Sequence, residues 1–185
     1  MKRNRTLTIT IVAVGIVINM IGSFLAMQLR LPIYLDNIGT IVVAALLGYS
    51  YSVACIVLGS VINGVLFDIF AIYYMPSGIL IALMASYVLH SKKLREKSIF
   101  LKAFIITIPS TIAASMVTAY LFGGITSSGS TYVIQILNKM GLDLITSSFL
   151  VQVVTDYIDR IVILFLGTYM VRRIPKDILL KLKES

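Results

Sequence analysis

Long apolar segments constrain the fold of this chain more than any other feature. Residues 7–29 and 38–67 contain no charged side chain, and the whole sequence is 58% hydrophobic and 13% charged, with a mean hydropathy of +0.97. A helix of about 20 apolar residues crosses the hydrocarbon core of a bilayer. Helices also satisfy their own backbone hydrogen bonds there, where no water is available. The sequence therefore predicts an all-α membrane protein.

The apolar segments divide into six predicted transmembrane helices within one integral membrane domain, residues 1–185. The stretch 38–67 is too long for one untilted span and too short for two ordinary ones, and the turn-like GYSYS at residues 48–52 divides it. Pro76 suits the first turn of a helix, and Pro109 is expected to kink one. The predicted spans are about 7–29, 37–48, 51–68, 76–90, 99–122 and 149–172.

A short amphipathic helix is predicted in the outer loop between spans five and six. Apolar residues recur there at helical spacing, and polar residues occupy the opposite face. Such a helix lies on the membrane or over a cavity, so it serves either as a structural cap or as a lid over a site. The apolar set is Val133, Ile136, Leu137, Met140 and Leu144, and the polar set is Gln135, Asn138, Lys139 and Asp143.

Positive charge is concentrated beside the apolar segments. The formal net charge is +8, and the basic clusters lie at residues 2–5, 92–102 and 172–183. Lysine and arginine are enriched in cytoplasmic loops, and an even number of spans places both termini on one side. The pattern predicts a multi-pass plasma-membrane protein with both termini in the cytoplasm. It favours contact with anionic lipid rather than with nucleic acid. The single cysteine, Cys55, excludes a disulfide within the chain.

Three ionisable residues in the last span are the first candidates for function. Asp156, Asp159 and Arg160 are spaced i, i+3 and i+4, which places them on one helix face. Each charge at the centre of a membrane helix costs roughly 2.5–3.5 kcal/mol on insertion scales, so this face needs a partner, water or a ligand. Asp36 and Asp68 fall on the same outer side, and together these carboxylates are suited to binding a small polar molecule.

Two structural alternatives stay open for these residues. Asp156 and Arg160 are four residues apart, so they can neutralise each other without any ligand. Asp36 or Asn37 can serve as the N-cap of the helix that follows.

Other chemistry has little support in the sequence. It contains no GxxxxGK[ST] nucleotide loop, no HExxH zinc motif and no GxSxG nucleophile elbow. We therefore expect no catalytic residue, no metal and no cofactor. One alternative is an intramembrane metal-dependent transferase that uses Asp156 and Asp159. Another is a solitary small-molecule facilitator that needs no partner.

Three segments resemble the substrate-binding S components of energy-coupling factor (ECF) vitamin transporters. They are LPIYLDNIGTIVVAALLG at residues 31–48, INGVLFD at 62–68 and DYIDRIVILFLGTYMVRRIP at 156–175. Chain length, six spans and basic cytoplasmic ends agree with that family along nearly the whole chain. The resemblance implies a six-helix, S-component-like fold that captures a water-soluble vitamin or related heterocyclic micronutrient near its outer face.

Partners and site residues follow from this resemblance. Transport is expected to require a transmembrane coupling subunit and two cytoplasmic ATPase subunits, so this chain is expected to bind substrate and not to be an enzyme. The family's first helix often carries an Ala-x-x-x-Ala pattern that contacts the coupling subunit; here Ala13 is followed by Val17, with Gly15 and Asn19 as further candidates. The acid-rich outer side favours a neutral or cationic heterocycle. The candidate substrate-binding residues are Asp36, Asn37, Asn63, Asp68, Tyr74, Asn138, Asp156, Tyr157, Asp159 and Arg160.

Overall fold

The computed structural model describes residues 5–124 and 130–183, and every regular element in these ranges is an α-helix. This confirms the all-α class predicted from the apolar segments. Most of the basic cluster at residues 2–5 lies outside the described residues. The helices are α1 (Arg5–Gln28), α2 (Ile38–Leu47), α3 (Tyr49–Leu66), α4 (Phe70–Tyr73), α5 (Met75–His90), α6 (Ile99–Phe122), α7 (Ser130–Lys139), α8 (Leu144–Arg173) and α9 (Lys176–Lys183).

Among the described residues, three helices are long and apolar enough to cross a membrane: α1, α3 and α6. The helices α2 and α5 are also apolar but shorter, with 10 and 16 residues. Helix α8 has 30 residues and contains the three charges noted in the last predicted span. These lengths and compositions are those of a membrane protein. The short helix predicted between spans five and six is present as α7.

Backbone conformation and capping set several helix ends. Gly48 joins α2 to α3 with φ of +82°, a conformation that glycine adopts without the steric cost of a Cβ. At the start of α8, the Asp143 carboxylate accepts a hydrogen bond from Thr146 N at 2.9 Å. The bonds from Thr146 also hold the pKa of Asp143 below its ordinary value. This cap starts α8 at Leu144, earlier than the predicted residue 149.

The N-terminus of α2 is capped from another helix. Asn37 occupies the N-cap position, but its side chain makes no capping hydrogen bond. Asn19 on α1 replaces it, since its Oδ1 accepts from Gly39 N at 2.7 Å and from Thr40 N at 3.2 Å. Its Nδ2 also donates to Thr40 Oγ1 at 2.8 Å. The prediction of Asn37 at the N-cap position is therefore confirmed, but the side-chain capping bonds come from the buried amide of Asn19 on α1.

Helices α1 and α2 approach closely at a pair of glycines. A Cβ added to Gly39 would meet the carbonyl of Gly15, so nothing larger than glycine fits there without movement. Gly15 and Asn19 are buried inside the bundle by this packing, whereas Ala13 and Val17 are exposed. Of the four residues predicted to contact a coupling subunit, Gly15 and Asn19 are thus corrected to internal packing against α2.

Replacing Asn19 with alanine is expected to destabilise the protein by about 2–3 kcal/mol. The change removes the cap of α2 and leaves two buried N–H groups without an acceptor. Thermal unfolding of the purified protein in detergent measures the loss.

The matched control is Thr10→Ala, because Thr10 lies on the same helix and is exposed, and its hydroxyl donates to Thr6 O. It is expected to change stability by less than about 0.5 kcal/mol. If the Asn19→Ala protein unfolds at the same temperature as the Thr10→Ala protein, the capping role is contradicted.

A hydrophobic cluster holds α8 against its neighbours. Ile163 and Leu164 of α8 are fully buried and belong to one cluster with Ile41 of α2 and Ile106 of α6. A Cβ added to Gly167 would lie 2.7 Å from Ile41, which shows how closely α8 and α2 approach. This packing lies C-terminal to the charged residues of α8 and holds them at a constant position in the bundle.

Three of the five residues in the apolar stripe predicted for α7 face away from the rest of the protein, whereas Leu137 and Leu144 are partly buried. Helix α7 contacts α8, and Ile134 is fully buried. Val133, Ile136 and Met140, which belong to the predicted stripe, are instead 48%, 58% and 75% exposed. An exposed apolar face on a membrane protein is suited to the lipid boundary, so the placement of this helix on the membrane is the alternative that the packing favours.

Candidate substrate-binding site

A polar cavity lies between α1, α3, α5 and α8 and beneath the loop that joins α1 to α2. Its volume is about 90 Å³; on the same measure, one water needs roughly 10–15 Å³. The cavity therefore has room for a small organic molecule. Its polar lining residues are Asn19, Ser23, Tyr34, Asp36, Asn37, Ser60, Asn63, Asp68, Tyr74, Ser77, Gln152, Asp156 and Arg160.

Helix α8 forms one polar wall of this cavity. Gln152, Asp156 and Arg160 are spaced four residues apart, which places them one above another on a single face. They are 1%, 3% and 3% exposed, and all three line the cavity. The apolar cluster of Ile163 and Leu164 lies below them on the same helix. Val154 and Ile158, on another face of α8, are exposed, whereas the face with these polar groups packs in the bundle and is directed toward the cavity.

Asp159 lies behind this wall and holds the loop between α1 and α2. Its Oδ1 accepts hydrogen bonds from Tyr34 N at 3.1 Å and from Leu35 N at 2.9 Å. Its Oδ2 pairs with the Arg160 guanidinium. Leu35 has φ of +55°, a left-handed conformation that is uncommon for a branched side chain and that these two bonds stabilise. Asp159 therefore supports a loop that itself lines the cavity.

Asp156 has a hydroxyl partner and not the cationic partner that the sequence allowed. Thr111 Oγ1 on α6 donates to Asp156 Oδ2 at 2.7 Å. Arg160 forms its ion pair with Asp159 instead. The close ion pair of Arg160 is therefore with Asp159, and Arg160 acts on Asp156 only through a longer-range electrostatic interaction.

A chain of hydrogen bonds fixes the orientation of Gln152. The Thr118 hydroxyl on α6 donates to Ala114 O at 3.0 Å, so it can only accept from its other neighbours. Tyr74 Oη and Gln152 Nε2 both lie 2.6 Å from Thr118 Oγ1 and therefore both donate to it. This leaves the Oε1 of Gln152 and the lone pairs of Tyr74 as acceptors.

Several buried polar atoms around the cavity have no hydrogen-bond partner within the described ranges. They are Asn37 Oδ1, Asn63 Oδ1, Gln152 Oε1 and Arg160 Nε. An unpaired buried polar atom costs about 1–3 kcal/mol, and native proteins keep few of them. Four of the seven such atoms in the described residues line this one cavity, where a polar ligand or water can complete their hydrogen bonds.

Seven of the ten predicted substrate-binding residues line the cavity: Asp36, Asn37, Asn63, Asp68, Tyr74, Asp156 and Arg160. Asp159 supports the loop from behind the wall. Asn138 is exposed on α7, and its Nδ2 donates to a carbonyl of the following loop. Tyr157 packs its ring edge-on against Phe104, and its hydroxyl donates to a carbonyl of α6. The structure does not bring Asn138 or Tyr157 to the cavity.

Sequence reasoning missed some of the polar lining. Gln152 lies four residues before Asp156, so helical spacing was a signal that could have found it. Asn19 was assigned to an outward contact, whereas it lies at the cavity between α1 and α2. Ser23 also lines the cavity and lies four residues after Asn19 on the same face of α1, whereas Tyr34 lies in a loop where no spacing pattern points to it.

Comparison with known proteins adds no relative to this description. No family model matches the chain, and no curated protein or solved structure matches it. The function of the cavity is therefore argued from its own residues and geometry.

Burial raises the pKa of Asp36, in the loop between α1 and α2, from 3.8 to about 6. The Asp159 carboxylate raises this pKa further, whereas the Arg160 guanidinium lowers it. The hydrogen bond that Asn37 Nδ2 donates to Asp36 Oδ1 at 2.6 Å also lowers it. Asp36 is therefore a loop carboxylate whose protonation changes within a mildly acidic range.

The stability of the ligand-free protein is expected to fall between pH 4 and pH 6 through Asp36. An acid whose pKa is raised by folding binds its proton more tightly in the folded state, so its stabilising contribution is present at low pH and lost as the pH rises toward about 6. Asp36→Asn cannot ionise, so it is expected to be more stable than the wild type at pH 7.5, by at most about 3 kcal/mol, and equally stable at pH 4.

Thermal unfolding of both proteins across this pH range measures the difference. Asp177→Asn, on the exposed surface of α9, is the control and is expected to follow the wild-type curve. Parallel curves for Asp36→Asn and wild type would contradict the prediction.

Proposed function

We propose that this chain is the substrate-capture subunit of an ECF-type importer and that it binds a water-soluble vitamin or related heterocyclic micronutrient in the cavity. The observation that carries the proposal is an acid-lined cavity enclosed by apolar helices. Ionisable residues inside a membrane segment are costly and usually functional. The three segments that carry the resemblance contribute Asp36, Asn63 and Asp156 to this one cavity, as a shared binding role requires.

The proposed arrangement in the membrane has six spans: α1, α2, α3, α5, α6 and α8. Lys102 at the start of α6 and Arg172 at the end of α8 are close enough to interact electrostatically, so these helix ends lie on one side. The basic loop at residues 91–98 precedes α6 on that side. By the positive-inside rule this side is cytoplasmic. The cavity, with Asp36 and Asp68 at its loops, then opens toward the outside, where a nutrient is captured.

The proposed partners are a transmembrane coupling subunit and two cytoplasmic ATPase subunits. Ala13 and Val17 lie on the exposed side of α1, beside Val14 and Ile21, which are 51% and 55% exposed. This face is the proposed contact with the coupling subunit. The ATPase activity belongs to the partners in this proposal, so the chain alone hydrolyses no ATP.

The alternative of an intramembrane metal-dependent transferase is less well supported by the geometry. It requires Asp156 and Asp159 to share a metal ion, but Asp159 accepts two backbone hydrogen bonds and pairs with Arg160. Asp156 accepts from Thr111 on the other side. Within the described part of the chain, no group of three or more His, Cys, Asp or Glu residues is placed to hold a metal.

The proposed function is tested by identifying what the protein retains. Protein purified in detergent from cells grown in rich medium is extracted, and small molecules are identified by mass spectrometry against a sample of detergent-solubilised membranes without the protein. A retained heterocyclic micronutrient is the expected result.

Uptake of that molecule into proteoliposomes is then measured with and without the coupling and ATPase subunits. ATP-dependent uptake only in their presence supports the importer. Uptake by the chain alone would favour the solitary facilitator, and a protein that retains nothing would contradict capture.

A further inference from the structure

We infer that the cavity selects a compact monocation that carries several N–H or O–H donors and one hydrogen-bond acceptor. This inference rests on the proposed capture function and specifies the ligand of the same cavity. It combines three observations: the charges that line the cavity, the hydrogen bonds already used by its lining residues, and the identity of the atoms that lack partners.

The charges lining the cavity are predominantly negative. Asp36, Asp68 and Asp156 line it, and of the described lining residues Arg160 alone is cationic. The Arg160 charge is already paired with Asp159, behind the wall. Arg160 also acts electrostatically on Asp36 and Asp156, but one guanidinium does not balance three lining carboxylates and Asp159. The net negative charge that is left is offset by a cationic ligand in a low-dielectric environment. An anionic ligand would add a like charge to an already acidic cavity.

Apart from those of Arg160, the hydroxyl and amide donors on the α8 side of the cavity are engaged within the protein. Tyr74 and Gln152 both give their protons to Thr118, as the donation from Thr118 to Ala114 O requires. Thr111 gives its proton to Asp156. What this wall has left is acceptor capacity, which matches a ligand that brings donors.

The unpartnered atoms point the same way. Asn37 Nδ2 donates to the Asp36 carboxylate, which leaves Asn37 Oδ1 as an acceptor. Asn63 Nδ2 donates to Ser23 Oγ at 3.1 Å, which leaves Asn63 Oδ1. Gln152 Oε1 is the third such acceptor. Among the fully buried atoms of the described lining residues, Arg160 Nε is the unpartnered donor, and it matches one acceptor on the ligand.

These features define a ligand class rather than a single compound. A one-ring heterocycle with a protonated aminomethyl group has the positive charge, the N–H donors and a ring nitrogen or hydroxyl as acceptor. Its size suits a cavity of about 90 Å³, which excludes dinucleotides and folded polyanions.

Two matched series of probes test the charge requirement. The pyridine series is pyridoxamine, pyridoxine and 4-pyridoxic acid, which differ only in carrying an aminomethyl, hydroxymethyl or carboxylate group at one position. The pyrimidine series is 4-amino-2-methylpyrimidine with the same three groups at carbon 5. Binding to the ligand-free protein at pH 7.5 is measured by isothermal titration and by the shift in unfolding temperature. The cationic member is expected to bind at least about 10-fold more tightly than its carboxylate counterpart in at least one series.

Each outcome decides the question. The series that contains the tightest-binding probe decides: if its carboxylate or its neutral member binds as tightly as its cation or more tightly, the cation class is overturned and the capture function stands. If neither series binds, the molecule retained on purification decides: a cation with several donors supports the inference, and an anion or a neutral molecule overturns it. If nothing binds and nothing is retained, both the inference and the capture function fail.

Loss of a single acceptor tests the hydrogen-bond part of the inference. Gln152→Leu is expected to weaken binding of the cationic probe, or of the retained cation, roughly 10-fold. Gln135→Leu is the control, since Gln135 lies on α7 outside the cavity and its Nε2 donates to Gly123 O. Asn63→Leu is the second variant if Gln152→Leu fails to fold. Wild-type affinity in a folded variant of either acceptor would overturn the assignment.

Discussion

Asp159→Ala is expected to destabilise the protein by roughly 3–5 kcal/mol, the largest single loss that the site predicts. The substitution leaves the Arg160 guanidinium, 3% exposed, without its counter-charge. It also removes the acceptor for Tyr34 N and Leu35 N, so the loop over the cavity loses its attachment to α8. Thermal unfolding in detergent measures the loss of stability. Limited proteolysis within residues 29–37 measures the loosening of the loop.

Three comparison variants separate the causes. Asp159→Asn keeps an oxygen for the loop and removes only the charge, so it is expected to lose less stability than Asp159→Ala. The double variant Asp159→Leu with Arg160→Met removes both charges and is expected to recover part of the loss, because no uncompensated charge stays buried. Asp177→Ala, exposed on α9, is expected to be close to the wild type. An Asp159→Ala protein as stable as Asp177→Ala would contradict the supporting role.

Asp156→Asn is expected to weaken retention of the captured molecule roughly 10- to 100-fold while leaving the fold intact. Asparagine has nearly the same shape, and its Oδ1 can still accept the hydrogen bond from Thr111. The substitution therefore removes chiefly the negative charge at the cavity wall. The amount retained per mole of protein, measured by quantitative mass spectrometry and confirmed by titration with the identified compound, gives the change in affinity.

The stability of this variant is the internal check. An unfolding temperature within a few degrees of the wild type establishes that weaker retention is not caused by misfolding. Asp177→Asn is the matched control and is expected to retain as much ligand as the wild type, because Asp177 lies on α9 and outside the cavity. Unchanged retention by Asp156→Asn would restrict Asp156 to its structural bond with Thr111.

These two predictions assign different tasks to carboxylates that lie three residues apart on one helix. Asp159 accepts hydrogen bonds from the loop and pairs with Arg160. Asp156 is the carboxylate of α8 that lines the cavity. The loop over the cavity is bonded to α8, and α8 also carries the carboxylate that lines the cavity. The same helix therefore holds both the loop and the binding residues in place. A change at one of these residues is therefore expected to affect the other through Arg160, so their combined substitution should not be additive.

Much of the helical framework was predictable because its causes are local. The apolar lengths of residues 7–29 and 99–122 predicted α1 and α6 to within a few residues. The start of α8 was placed too late, because the capping bond between Asp143 and Thr146 was not recognised in the sequence. The stripe on α7 was correct as a helical pattern, but periodicity alone does not determine whether an apolar face meets protein or lipid.

The candidate site was predictable only in outline. Polar residues within apolar helices, such as Asn63 and Asp156, are unusual enough to be noticed from the sequence, and both line the cavity. Asn19 and Gln152 carry equally polar amide side chains. The sequence predicts a coupling-subunit contact for Asn19, and its analysis did not identify Gln152. Some buried polar residues bond to their neighbours, and others face a cavity. The packing of the other helices determines which of these two positions each residue takes.

By itself, the sequence determined that this is an all-α membrane protein with a set of carboxylates gathered near its last long helix, since hydropathy and helical spacing are properties of contiguous residues. Only the tertiary structure decided that Arg160 pairs with Asp159 rather than Asp156, and that Asn19 caps α2. The first choice depends on the loop at Tyr34, 125 residues away along the chain. Contacts at such separations are set by how the helices pack, and no local pattern in the sequence records them.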